Sequence, residues 1–326
     1  MAEDRRPDFG LVLQKLKQLK AERTQDDDKL DPMMRAIKAV HSATNAESTA
    51  PEDLQRQRAG QELFGRLVTP TLGIRSDCFM LNGTIPAEWV SMEFGHDRRH
   101  VVLYCHGGGY TCGQLGYARI LATKLAIATG CDVLSFEYRL APENPFPAAI
   151  EDALAAWDHL LYMGYGARNI LLAGDSAGGN LALELALKIK EQGRRQPRAM
   201  VLMSPWTDMS CSGPSYTENA DIDPMITPCY IEASRLAYVG HEDDWARPCY
   251  SPLMADLRGL SPTLIQVGTN EILRSDSELL QKKMQEQGGY ATLEVYEDCW
   301  HVFQQMPIRR AAAAMESVGR FVQRQL

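Results

Sequence analysis

Apolar residues in the first part of the chain follow a helical spacing. Three of them recur at the interval of one helix face, within a strongly charged stretch: Phe9, Leu13 and Leu16. Farther along, Thr49 is followed three residues later by Glu52, which has the form of a capping box and predicts the start of a second helix. We therefore expect residues 1–75 to form a helical cap segment, with no strand between residue 9 and about residue 67.

After residue 76 the pattern changes to short apolar runs separated by helical stretches. This alternation is typical of parallel βαβ units, so it predicts an α/β fold with a mostly parallel central sheet flanked by helices. Six of the runs are predicted to be strands: Val101–Cys105, Asp132–Tyr138, Ile170–Gly174, Ala199–Ser204, Thr263–Val267 and Ala291–Tyr296.

One long interval between two predicted strands interrupts this alternation. Residues 208–247 are rich in Asp, Pro, Tyr and Met and are too numerous for an ordinary loop. We interpret them as an inserted cap segment, which divides the α/β core into residues 76–207 and 248–326.

Composition and charge limit the kinds of partner. The 326 residues suit one large α/β domain with a smaller appendage, and a net charge of −8 argues against nucleic acid. No apolar run approaches the length of about 18 residues that spans a membrane, and no apolar segment follows the charged start MAEDRRPDFG. The eight cysteines form no CxxC pair and no metal-ligand spacing. These features favour a cytoplasmic protein that needs no metal and acts on small neutral or weakly polar molecules.

The clearest chemical motif is a serine between a strand and a helix. The predicted strand ILLAG runs into GDSAG, which starts at Gly174, and a helical stretch follows over Asn180–Gln192. A serine at the tip of such a turn projects its hydroxyl clear of the sheet, and the flanking glycines avoid a side-chain clash. Ser176 is therefore the candidate nucleophile.

A glycine-rich turn earlier in the chain supports this interpretation. The sequence HGGG, which starts at His106, directly follows a predicted strand. Backbone N–H groups of successive glycines can point at a developing oxyanion, and the N–H of Ala177 can add another donor. A flexible turn without function is the alternative, but the two motifs together favour an oxyanion hole. His106 itself is expected to position the loop rather than to transfer protons.

A serine hydroxyl needs a base to accept its proton, so a histidine is expected close to Ser176. In folds with this kind of nucleophile the chain order is serine, acid, histidine, and two histidines follow the serine. His241 falls within the inserted cap, in GHEDD, and is expected at a surface turn. His301 follows the last predicted strand, where a loop at the carboxyl edge of the sheet can reach the serine. His301 is the predicted base.

The acid that orients the histidine is expected in the loop after the penultimate strand. Glu271 is the first carboxylate in that loop, within GTNE. Asp276 is the rival, but SDSE from Ser275 to Glu278 has the form of a capping box, which predicts that Asp276 lies at a helix N-terminus. Glu271 is the predicted acid, and Asp276 stays open as the alternative.

Five segments in one order resemble those of a known family: HGGGY from His106, YRLAPENPFPAA from Tyr138, GDSAGGNLAL from Gly174, SPWTD from Ser204 and VGTNEILRSD from Val267. On these motifs the chain, from roughly Ala87 to the C-terminus, resembles the bacterial hormone-sensitive-lipase-like carboxylesterases of the α/β-hydrolase fold. Two features depart from the family. Glu271 is followed by isoleucine, where many members carry aspartate followed by proline, and Cys299 and Trp300 precede the histidine, where methionine is common.

The resemblance implies functional roles for particular residues. Its catalytic triad would consist of Ser176, Glu271 and His301. Its oxyanion hole would be formed by the N–H groups of Gly107, Gly108 and Ala177. It further implies a helical cap built partly from residues 1–75, no cofactor, and a tendency to form homodimers through an edge strand or helix.

Together these expectations describe a serine hydrolase that cleaves small carboxylic esters with short to medium acyl chains through an acyl-enzyme. Seven residues are expected to line an acyl pocket of limited depth: Met33, Met34, Met209, Tyr216, Met225, Ile226 and Tyr230. Two alternatives stay open. The same triad can hydrolyse amides, including acetamides, and plant gibberellin receptors share this fold without its catalytic histidine. The presence of both Ser176 and His301 argues against a receptor.

Overall fold

The computed structural model describes residues 30–67, 71–240 and 245–326. Two sequence interpretations fall outside these ranges, namely the surface turn at His241 and the apolar stripe of Phe9, Leu13 and Leu16. Each helix in the described ranges is too short or too polar to cross a lipid bilayer.

Eight strands form one sheet at the centre of the described structure: β1 (Ile74–Leu81), β2 (Ile85–Met92), β3 (Asp97–Cys105), β4 (Cys131–Phe136), β5 (Ile170–Asp175), β6 (Met200–Met203), β7 (Thr263–Gly268) and β8 (Ala291–Tyr296). In the sheet they lie in the order β1-β2-β4-β3-β5-β6-β7-β8. Strands β3 to β8 are parallel, whereas β2 pairs antiparallel with β1 and with β4. The expected mostly parallel sheet is confirmed.

Helices connect and cover the strands. Within the described ranges they are α1 (Leu30–Thr44), α2 (Pro51–Leu67), α3 (Leu115–Thr129), α4 (Ala148–Tyr162), α5 (Ala177–Glu191), α6 (Ser215–Glu218), α7 (Pro228–Val239), α8 (Arg274–Glu286) and α9 (Arg309–Gln325). Three short 3₁₀ turns accompany them: Ala167–Asn169, Pro252–Met254 and Phe303–Gln305.

Helices bury both faces of the sheet, because successive side chains of a strand point to opposite sides. In β3, Val101 and Leu103 belong to the apolar cluster that includes residues of α4, α5 and α8. Val102 and Tyr104 belong to the other cluster, with residues of α3 and α9. The central strands are therefore apolar on both faces, which explains why they were recognisable as continuous apolar runs.

The six predicted strands are present, but the two antiparallel strands β1 and β2 were missed. Strand β1 reads IRSDCFML, and most of its side chains are exposed or half-buried at the edge of the sheet. A strand at an edge, paired on one side, needs no continuous apolar run. The predicted segment boundary at residue 76 falls inside β1, which begins at Ile74.

The predicted cap of α2 is also wrong in detail. The helix begins at Pro51, so Ala50 precedes it, and the Ala50 carbonyl accepts from the N–H groups of Asp53 and Leu54. The Ser48 hydroxyl accepts from the Ala50 N–H at 3.2 Å and donates to the Asp53 carboxylate at 2.7 Å. Ser48, one position before Thr49, is thus the hydroxyl residue that is bonded to the start of the helix, and it does so without the capping-box contacts.

Candidate active site

Ser176 stands at a sharp turn between β5 and α5. Its backbone has φ 54° and ψ −124°, a conformation that a non-glycine residue rarely adopts. A Cβ on Gly178 would lie 2.1 Å from the carbonyl oxygen of Cys105, so a larger residue there would push the helix away from β3. The turn therefore requires glycine beside the serine, as the motif predicted.

The structure brings Glu271 and His301 together. His301 Nδ1 lies 3.0 Å from Glu271 Oε2, and both side chains are buried. The other carboxylate oxygen of Glu271 accepts from the Gly268 N–H at 2.6 Å and from the Ser204 hydroxyl at 2.9 Å. Because an ionised carboxylate only accepts hydrogen bonds, the His301 proton is held on Nδ1 and Nε2 keeps its lone pair. His301 and Ser176 line the same cavity.

The surroundings of His301 act on its basicity in opposite directions. Burial by itself would lower the pKa of the imidazole. The hydrogen bond and negative charge of Glu271 outweigh this effect, with smaller contributions from the charges of Asp223 and Asp175, so the pKa of His301 is raised above its ordinary value. The site thus favours the protonated imidazolium that a base must form on accepting the serine proton.

Two residues that support this pair were not recognised from the sequence. Ser204 lies in the SPWTD segment, and besides its bond to Glu271 its oxygen accepts from the Val302 N–H at 3.1 Å. Asp223 is buried and accepts from the N–H groups of Met225, Ile226 and Ile272. Asp223 therefore ties the segment 208–247 to the loop that carries Glu271. The sequence around it, ENADIDPMIT, held no signal that set Asp223 apart from the neighbouring Asp221.

The oxyanion-hole residues lie around the serine, but their N–H groups are not all free. The Gly107 N–H donates to Asp175 Oδ1 at 2.9 Å, and the same oxygen accepts from the Tyr104 hydroxyl at 2.6 Å. The N–H groups of Gly108 and Ala177 make no hydrogen bond to another described residue. The Gly107 N–H therefore already has a partner in this structure, the buried carboxylate next to the nucleophile, and the role of Gly107 in an oxyanion hole stays a prediction.

His106 has the surroundings of a positioning residue. Its ring is buried and stacks on the ring of Tyr138 at a centroid distance of 4.2 Å. The Tyr138 hydroxyl donates to the His106 carbonyl at 2.8 Å, which connects the HGGG turn to the YRLAPE segment. Burial lowers the pKa of His106 to about 4, so the ring is neutral at pH 7.

Asp276 lies in the first turn of α8, but the predicted capping box is wrong. Helix α8 begins at Arg274, which places Ser275 inside the helix. Asp276 is buried, and its Oδ2 accepts from the N–H groups of Thr207 and Asp208 at 2.7 and 2.9 Å. Burial, with the charge of Asp208, raises the pKa of Asp276 to about 8. Asp276 thus anchors the loop after β6 instead of capping a surface helix.

The cavity beside Ser176 has a volume of about 90 Å³. Of the seven expected apolar residues, three line it: Met225, Ile226 and Tyr230. The other four do not. Met209 and Tyr216 are buried in the apolar core of the protein. Met33 and Met34 are partly buried and pack against that core. Spacing along the chain could not separate these positions, because all seven are apolar or amphipathic.

Much of the remaining cavity wall is polar and was not predicted. Six residues with amide, hydroxyl or imidazole groups contribute to it: His41, Thr44, Asn45, Gln57, Gln61 and Gln305. His41 and Thr44 belong to α1, Gln57 and Gln61 belong to α2, and Asn45 directly follows α1, so the N-terminal helices contribute to the wall of the site. A series of polar residues on a helix normally indicates a solvent-exposed face, and the sequence held no signal against that interpretation.

The fold and the site together define the class of protein. A nucleophile turn after the central strand of a parallel sheet, with a His–carboxylate pair supplied by later loops, is the arrangement of the α/β hydrolases. The family model described as alpha/beta hydrolase fold matches residues 102–305.

Similarity to known proteins identifies the family within the α/β hydrolases. An acetyl-hydrolase of Streptomyces hygroscopicus is 34% identical over 83% of this chain and 88% of its own length. The carboxylesterase NlhH of Mycobacterium tuberculosis is 36% identical over 55% of this chain and 59% of its own. The solved structure of an esterase from the bacterial hormone-sensitive lipase family is 35% identical, with a TM-score of 0.82, over 90% of this chain and 98% of that one. The solved structure of a double mutant of the esterase E40 is 36% identical, with a TM-score of 0.84, over 93% of this chain and 99% of that one. The chain therefore belongs to the bacterial hormone-sensitive-lipase-like carboxylesterases.

Proposed function

We propose that the protein hydrolyses carboxylic esters with short to medium acyl chains, with Ser176 as nucleophile, His301 as base and Glu271 as the acid that orients it. The observation that carries this proposal is that Ser176 and His301 border one small cavity and that Glu271 holds His301 from behind, at 3.0 Å from its Nδ1. Beside it, the N–H groups of Gly108, in the HGGG turn, and of Ala177, the first residue of α5, make no hydrogen bond to another described residue.

The proposed reaction begins when His301 Nε2 accepts the proton of Ser176 as its oxygen attacks the ester carbonyl. The resulting oxyanion is stabilised by the N–H groups of Gly108 and Ala177. The alcohol leaves with the proton from His301, and a water activated by the same imidazole then hydrolyses the acyl-enzyme. Glu271 holds the Nδ1 tautomer throughout and stabilises the imidazolium.

The limited cavity supports the preference for short and medium acyl chains. A volume of about 90 Å³ holds roughly six to nine water-sized groups. Each methylene gains about 0.8 kcal/mol only while it is buried. We therefore expect kcat/KM on p-nitrophenyl esters to fall by about tenfold or more between a four-carbon and a sixteen-carbon acyl chain. A higher rate on emulsified long-chain triglycerides than on soluble short esters would contradict the proposal.

Amide hydrolysis by the same triad is the alternative chemistry. An amine is a poorer leaving group than an alcohol, so the ester is expected to react faster than its matching anilide. The measurement compares kcat/KM for an acyl p-nitrophenyl ester with that for the p-nitroanilide of the same acid. An anilide that reacts as fast as the ester would favour an amidase.

The pH dependence follows from the surroundings of His301. The imidazole must be neutral to accept the serine proton, and its pKa is raised above the ordinary value of 6.5. We expect kcat/KM to rise with pH, with its midpoint above 6.5. Loss of the Glu271 charge leaves burial as the dominant influence, so Glu271→Gln is expected to move the midpoint to lower pH. An undiminished kcat/KM down to about pH 4, with the enzyme still folded, would contradict a histidine base.

We also propose that the protein is cytoplasmic and forms homodimers. The cysteines support the first proposal, since none of the eight forms a disulfide and Cys78, Cys229 and Cys249 are exposed. The edge strand β8 supports the second, because one of its sides pairs with no other described strand and Val295 is 43% exposed. Sedimentation at several protein concentrations distinguishes a dimer from a monomer.

A further inference from the structure

An open groove lies between α3 and α9, beside the catalytic cavity. Its volume is about 820 Å³, against about 90 Å³ for the cavity at Ser176. Its lining is mostly apolar and includes Ile127 and Ala128 of α3, Ile308 just before α9, and Met315 of α9. Ile127 is 50% exposed, so its side chain is accessible from the groove. The groove therefore offers apolar surface that an alkyl chain can cover.

Met306 belongs to the walls of both the cavity and the groove. Of its two neighbours in the chain, Gln305 lines the cavity and Pro307 lines the groove. Helix α3 shows the same order. Tyr117, in its first turn, lines the cavity, and Lys124, about 10 Å farther along the helix axis, lines the groove. The two spaces are therefore neighbours, and Met306 lies where they meet.

Hydrogen bonds hold the backbone at Met306 in place. Its carbonyl accepts from the Lys124 ammonium at 2.9 Å, and its N–H donates to the Phe303 carbonyl at 2.9 Å. The same ammonium donates to the Gln304 carbonyl. Met306 is 8% exposed and belongs to the apolar core. Because these bonds involve only backbone atoms of Met306, a smaller side chain there changes the wall between the two spaces and leaves the bonds in place.

We infer that Met306 sets the length of ester that the enzyme accepts, because its side chain closes the catalytic cavity against the groove between α3 and α9. The ligand that reaches this wall is a linear alkyl chain, which belongs to the acyl or the alcohol part of the ester. With methionine in place the chain ends in the cavity, and with a smaller residue it continues into the groove. This inference rests on the proposed ester hydrolysis and adds the residue that limits the chain.

The test shortens three methionines in the same way. Met306 lines both spaces, whereas Met225 lines the cavity and Met315 lines the groove. The readout is kcat/KM on p-nitrophenyl decanoate divided by kcat/KM on p-nitrophenyl butyrate. Each buried methylene contributes a factor of about four, so two or three more of them should raise this ratio by about 15- to 60-fold in Met306→Ala. Met315→Ala should leave the ratio unchanged. Met225→Ala should raise it less, because the enlarged cavity still ends at Met306.

A charge placed in the groove tests the path of the chain. Ile127→Glu, combined with Met306→Ala, should cancel most of the rise, because a carboxylate disfavours an alkyl chain beside it. In the parent enzyme Ile127→Glu should leave the ratio unchanged. Butyl and decyl acetate, measured with the same variants, identify the part of the ester that lies beside Met306. A rise in the acetate series places the alcohol there, and a rise in the p-nitrophenyl series places the acyl chain there.

A ratio unchanged by Met306→Ala in both ester series, in folded protein, would overturn the inference. A rise that Ile127→Glu does not reduce, or that Met225→Ala matches, would also overturn it, since the larger cavity alone would then explain the result. Met306→Val is measured in parallel and replaces the alanine variant if circular dichroism shows that the latter is unfolded. Absence of turnover on p-nitrophenyl butyrate by the folded parent enzyme would instead overturn the proposed function itself.

Discussion

Replacement of Ser176 by alanine is expected to lower kcat on a short-chain ester by about 10⁶ while the fold stays intact. Removal of a triad member leaves only the contribution of binding and of the oxyanion hole. The hydroxyl also has no structural bond to another described residue. We therefore expect the loss to appear in kcat and not in the unfolding temperature.

The measurement compares initial rates and circular dichroism of the variant and the parent enzyme. Ser135→Ala is a matched control, since Ser135 is buried in β4, its hydroxyl has no described partner, and it does not line the cavity. Activity of this control should be retained. Reaction with an organophosphonate should label Ser176 and no other serine. Activity retained by Ser176→Ala would contradict the proposed mechanism as a whole.

Replacement of Glu271 by glutamine is expected to lower kcat by about 10³ to 10⁴. The amide has the same size, so the contacts with Gly268 and Ser204 can largely persist. It lacks the negative charge that stabilises the imidazolium of His301, and its NH₂ group can face Nδ1 and select the wrong tautomer. The expected result is a large loss of kcat with a small change in KM.

Asp276→Asn provides the matched control for this prediction, because it makes the same chemical change at a buried carboxylate five residues later. Asp276 anchors the backbone of Thr207 and Asp208 and has no described contact with His301. We expect Asp276→Asn to lower the stability of the protein, which thermal unfolding measures. Its kcat should change little. If Asp276→Asn proves more damaging to kcat than Glu271→Gln, the proposed acid is the wrong carboxylate, although the roles of Ser176 and His301 would stand.

Much of the fold could be predicted from the sequence because its central strands are buried on both faces. Each of the six parallel strands appears as a short apolar run, and the helices between them follow the expected period. Strands β1 and β2 have no such signature, since β1 lies at the edge of the sheet with most of its side chains exposed or half-buried, and β2 carries Glu88 and Ser91 among its apolar residues. Burial at an edge depends on what lies nearby in space, which a local pattern does not encode.

The sequence by itself singled out Ser176, Glu271 and His301, because a nucleophile turn and the loops after two particular strands are local features with a known chain order. Only the tertiary structure decided the hydrogen-bonding state of these and neighbouring groups. In the folded protein the Gly107 N–H donates to Asp175, and Asp276 accepts from the backbone N–H of Thr207, which is distant in the chain. Polar residues of α1 and α2 line the cavity. The physical reason is the same in each case. A hydrogen bond between groups far apart in the chain depends on which atoms the fold brings within about 3 Å of one another, and no local periodicity records that.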